Sequence, residues 1–68
     1  MDTRYFLYVK HSKNEWLPAD AIFPEFFTRF ANVFHSEMEA SIAKGKFKNY
    51  LKVYAAAYKV PIKIVSSS

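Results

Sequence analysis

Apolar and polar residues alternate from Arg4 to His11 (RYFLYVKH), with Tyr5, Leu7 and Val9 on one face and Phe6, Tyr8 and Lys10 on the other. Aromatic and β-branched residues in that order predict a strand. Ser12–Glu15 (SKNE) is turn chemistry. Trp16–Phe23 (WLPADAIF) is broken by Pro18 and fits either a short helical turn or an irregular loop.

From Pro24 the period lengthens. Proline suits the first turn of a helix, and Glu25 beside it complements the helix dipole. Phe27, Phe30, Ala31, Phe34, Met38 and Ser41 then share one side, opposite Thr28, Arg29, Asn32, Ser36 and Glu39. This spacing predicts a helix of about five turns ending near Gly45, the only glycine. Ser36-Glu37-Met38-Glu39 competes with that reading, because it has the form of a capping box and could start a helix itself.

Phe47, Leu51, Tyr54 and Tyr58 make a second stripe with Tyr50 beside it, out of phase with the first by more than a quarter turn at ~100° per residue. One straight rod cannot bury both, so Gly45 is expected to separate two helices of an αα-hairpin, and Ala55–Ala57 supports the second. Val60–Val65 (VPIKIV) closes the chain as a strand with Ile62 and Ile64 inward and Pro61 at its start or edge. The class is α+β. The order β-α-α-β packs an αα-hairpin on a two- or three-stranded antiparallel sheet. A single compact domain is expected over residues 1–65, with residues 66–68 a frayed serine tail. Two strands alone are weak in water, so a third is expected from Trp16–Phe23 or from a partner chain.

Composition sharpens this picture. At 68 residues the chain is near the lower limit for a self-sufficient core, and with no cysteine it has no disulfide, thiolate cluster or cysteine nucleophile. Its 51% hydrophobic and 19% aromatic content offers dense packing instead, with more rings than so small a core needs. Some rings are therefore expected at the surface as contact sites. No secretory signal is legible: the apolar run Tyr5–Val9 is short and Lys10 follows it directly. No stretch approaches the ~20 apolar residues of a membrane span. A cytoplasmic protein without a membrane association is the expectation.

Charge is polarised. Asp2, Glu15, Asp20, Glu25, Glu37 and Glu39 all precede Ala40, whereas the chain after it carries only Lys44, Lys46, Lys48, Lys52, Lys59 and Lys63. The net charge of +4 is thus one-sided and suited to an oriented contact with an acidic surface. On a second helix Lys44, Lys48, Lys52 and Lys59 fall within ~80° of one another. The ridge reads as a solvated face whose stems cover apolar surface, or as a contact for phosphates or an acidic protein. It has no arginine for bidentate contacts, and the chain shows no helix-turn-helix, zinc-finger or RNA-recognition signature.

Phe6 and Tyr8 point away from the helices, where a one-sided sheet normally turns polar residues outward. They could dock on a protein, stack unpaired bases, or be covered by Trp16–Phe23. Catalysis finds little footing. His35 and Glu39 lack further metal ligands beyond the distant His11, Asp20 and Glu25 read as turn and helix-start residues, and one glycine allows no phosphate cradle. No enzyme, cofactor or metal is expected. The leading expectation is a non-catalytic inhibitor, adaptor or modulator that docks on a larger, acidic-surfaced protein through Phe6, Tyr8 and Trp16 with Lys44, Lys48, Lys52, Lys59 and Lys63. A nucleic-acid-binding protein using the lysine ridge is the alternative, and a self-associating structural protein, a homodimer completing its sheet across two chains, is the third.

Overall fold

A computed structural model describes residues 2–55 and 59–67. Strand β1 (Arg4–Ser12) turns through Lys13 and Asn14 into the short strand β2 (Glu15–Pro18). A one-turn helix α1 (Ala19–Ile22) and a 3-10 turn (Pro24–Phe27) follow. The long helix α2 (Glu37–Tyr50) continues into a π-helical turn (Leu51–Ala55), and strand β3 (Ile62–Ser67) closes the fold. The sheet is antiparallel with order β2-β1-β3. The α+β class is as the hydrophobic pattern implies, and the third strand comes from the front of the Trp16–Phe23 segment.

Leu7 and Val9 of β1 are buried with Ala19, Phe34, Ala40, Ala43, Phe47 and Leu51, and Ile62 and Ile64 of β3 pack against this core half-buried. Much of the aromatic excess is used beside it. Phe26 lies 5.0 Å from Phe47 and 5.1 Å from Tyr50 between ring centres, and it also meets Phe27 and Phe30 edge-on.

The helices differ from the expected hairpin. Residues 28–36 are not helical; the long helix starts at Ser36, whose Oγ accepts from the Glu39 N–H at 3.1 Å. The Glu39 carboxylate reaches back to the His35 N–H at 3.3 Å, so the capping signal prevails over the Pro24 start. Asn32 is the physical reason. Its side-chain oxygen accepts from the Leu7 N–H, and its amide donates to the Leu7 carbonyl (both 2.9 Å) and to an Asp20 carboxylate oxygen at 3.0 Å. Two residues on, Phe34 exchanges backbone hydrogen bonds with Tyr5 at 2.8 and 2.9 Å. Asn32 through its side chain and Phe34 through its backbone thereby occupy the edge of β1 where β2 has ended, and a segment tied there does not wind into the long helix.

Gly45 is a second correction. It sits inside α2, and a Cβ there would meet nothing within 4 Å, so this glycine terminates no helix. The out-of-phase stripes are reconciled because the first one is not α-helical before Glu37. Tyr54, expected on the buried stripe, is 78% exposed. The wider π turn after Tyr50 makes the residues beyond Leu51 lag behind the Phe47 and Leu51 direction. Tyr58 and Ala56–Ala57 lie outside the described residues. At the other end, Ser66 and Ser67 pair with Tyr5 and Arg4, so the strand extends through two residues expected to fray.

Candidate binding face

Strand register decides which side chains share the side of the sheet away from the helices. Directly opposed residues in antiparallel strands lie on the same face. Phe6 faces Val65, Tyr8 faces both Lys63 and Pro18, and Lys10 faces Trp16. Together with Arg4 these form one outer face, and none of them belongs to the core or packs against it. Phe6, Tyr8, Trp16, Pro18 and Val65 are half-buried, whereas Arg4, Lys10 and Lys63 are exposed. A shift in register between Lys10 and Ser12 ends the alternation, and up to that bulge the face carries cations and, among the described residues, no carboxylate side chain.

The rings and cations are coupled. The Lys63 ammonium lies 4.3 Å from the centre of the Trp16 ring, reaching across β1 from β3 to β2. Such a contact is worth about 0.5–1 kcal/mol at an exposed site. It sets a positive charge over the Trp16 ring, an arrangement able to meet carboxylates or phosphates together with apolar surface. The Trp16–Phe23 segment flanks Phe6 and Tyr8 rather than crossing over them. Trp16 and Pro18 lie beside those rings, while Ala19 turns into the core and Ile22 and Phe23 pack on it.

The eight residues singled out in the sequence therefore divide. Phe6, Tyr8, Trp16 and Lys63 come together on the outer face. Lys44 and Lys48 lie on α2 and Lys52 on the π turn, in the helical layer. Lys44 is half-buried beside the core stripe, and Lys48 and Lys52 are exposed. Lys59 does not extend this row, because it sits in the turn before β3. Arg4 and Lys10 were not singled out. Their even-numbered spacing with Phe6 and Tyr8 was the available signal, since period-two alternation places all four on one face.

Two other features complete the surface. Phe30, Phe34, Glu39, Ile42, Ala43 and Lys46 line an open cleft of about 280 Å3 beside α2. Its one carboxylate, Glu39, is already engaged by the His35 N–H. The Tyr50 phenol is held above its ordinary value of 10.0, first by desolvation and then by the neighbouring Glu25 carboxylate. Among the described residues no three His, Asp or Glu side chains gather as a metal-holding group. Among the same residues no helix is long and apolar enough to cross a membrane. The chain matches no protein-family model, no curated protein and no solved structure.

Proposed function

We propose that this chain is a non-catalytic binding protein that docks its outer sheet face on an acidic surface of a larger protein and modulates it, as an inhibitor or adaptor does. The observation that carries this reading is the union on one face of three rings, Phe6, Tyr8 and Trp16, with three cations, Arg4, Lys10 and Lys63, and no carboxylate side chain among the described residues. Aromatic anchors supply apolar area at small entropic cost, and a cationic surround steers an acidic partner into register. Lys48 and Lys52 add to the long-range field from the helical layer. We place its action in the cytoplasm, a location that the cysteine-free composition suits.

Base stacking is the second reading, and the same rings beside cations favour it, since single-stranded nucleic acid also pairs π-faces with negative charge. One experiment separates the two. Wild type and the Phe6→Ala/Tyr8→Ala double variant are crosslinked in source-cell extract with and without nuclease, and captured partners are read by mass spectrometry. Docking on a protein predicts a nuclease-resistant acidic partner that the double variant loses while keeping its fold. Loss of every partner after nuclease, with micromolar binding to single-stranded oligonucleotides at ~0.15 M salt, replaces the protein reading with the nucleic-acid one. Capture unchanged by the double variant refutes the outer face as the working surface.

A further inference from the structure

A sheet edge exposes unpaired backbone groups, and folded proteins guard such edges with short strands, proline, charges or a covering segment. This fold guards two of its edges in those ways. β2 is four residues long and ends in Pro18. Beyond it, the edge of β1 is closed by Phe34 on Tyr5 and by the Asn32 side chain on Leu7. β3 is treated differently. The Lys10 N–H donates to the Pro61 carbonyl at 3.1 Å, which fixes the parity: Lys63 and Val65 bond to β1, and Ile62, Ile64 and Ser66 turn their backbone groups outward. Among the described residues nothing pairs with those three.

The one charge on β3 gives the edge little protection. Lys63 is drawn away from it, across β1, to the Trp16 ring. Ile62 and Ile64 remain half-buried although they face the core, so apolar surface continues to the rim of the sheet.

We propose that β3 pairs antiparallel with β3 of a second copy of this chain, about a two-fold axis through Ile64, to form one continuous six-stranded sheet. The register follows from parity and charge. With the axis at Ile64, that residue opposes its own copy and Ile62 opposes Ser66 of the second chain, so all three outward-facing residues exchange both hydrogen bonds. Lys63 then opposes Val65. An axis at Lys63 sets two ammonium-bearing residues directly opposite each other and leaves Ser66 unused, and an axis at Val65 leaves Ile62 unused. On the core side, Ile64 packs on Ile64. Both outer faces end on the same side of the sheet, so the pairing doubles the aromatic and cationic surface. This inference rests on the backbone of β3 and stands or falls separately from the docking role of that surface.

Sedimentation equilibrium from about 10 μM to about 1 mM, the range of a small interface, provides the first test. The apparent mass is expected to rise from 7.9 kDa toward twice that value. Hydrogen exchange on the same samples supplies the site. The amides of Ile62, Ile64 and Ser66 gain protection with concentration, while those of Lys63 and Val65 stay protected throughout. Ser66→Pro removes an outward N–H at an exposed position and is expected to hold the chain monomeric with Lys63 and Val65 still protected. The Phe6→Ala/Tyr8→Ala variant is expected to dimerise as wild type does, whatever becomes of its partner binding. A monomer at every concentration overturns the proposal. So does a dimer in which the three alternating amides exchange freely, and should Ser66→Pro unfold, the wild-type exchange pattern alone decides.

Discussion

Replacing Asn32 with alanine tests the contact that keeps residues 28–36 out of the helix. Asn32 is 8% exposed and Leu7, whose N–H and C=O it holds, is fully buried. The substitution leaves both backbone groups of Leu7 without a partner. Each orphaned group costs about 1–3 kcal/mol, and water entering the vacated space recovers part of that, giving an expected loss of about 2–4 kcal/mol. A 68-residue domain has a total stability on the order of 3–10 kcal/mol. The variant should therefore melt roughly 8–32 °C lower, at about 4–8 °C per kcal/mol, or be partly unfolded at room temperature. Urea unfolding followed by circular dichroism measures this directly, with the slope unchanged if only stability has moved. Asp20→Ala is the matched control. It removes only the outer hydrogen bond from an exposed carboxylate, so it should cost under about 1 kcal/mol, and nothing further in the Asn32→Ala background. A loss below about 1 kcal/mol for Asn32→Ala refutes the reasoning, because Leu7's backbone would then be satisfied without it.

Three further outcomes are expected. Gly45→Ala should stabilise by about 0.5–1 kcal/mol in thermal melts, since the position is mid-helix with open space where the methyl goes, and a lowered midpoint would restore the hairpin. Leu7→Ala should cost about 2–5 kcal/mol in urea unfolding, because it opens a cavity at a fully buried site; a cost under about 1 kcal/mol would place Leu7 outside the core. The raised Tyr50 pKa favours the neutral phenol in the folded state, so its stabilising share is complete below pH 10.0 and is lost as pH rises through the higher folded value. Tyr50→Phe should accordingly fall less steeply in stability above pH 10.0, and an unchanged alkaline slope would remove that linkage.

The sequence by itself determined the class and the two segments of strand at the start and the end of the chain. Period-two alternation in RYFLYV and IKIV reports burial on one side, a local property that a short window carries, and so Leu7 and Val9 were legible as core and Phe6 and Tyr8 as the opposite face. Ser36 and Glu39 were legible as a cap for the same reason, because both partners of the bond lie within four residues. What only the tertiary structure decided was which of two locally acceptable readings prevailed. Phe27–Phe34 has helical spacing, but Asn32 within it holds both backbone groups of Leu7, 25 positions away, and no local window contains that pair. Gly45 lies inside α2 with open space where a Cβ would go, so the glycine marks neither a turn nor a close approach, a fact that residue type alone does not reveal. The outer face was likewise assembled across β2, β1 and β3. Trp16 and Lys63 are distant in sequence and meet because antiparallel register carries both to the side of the sheet that the helices leave bare.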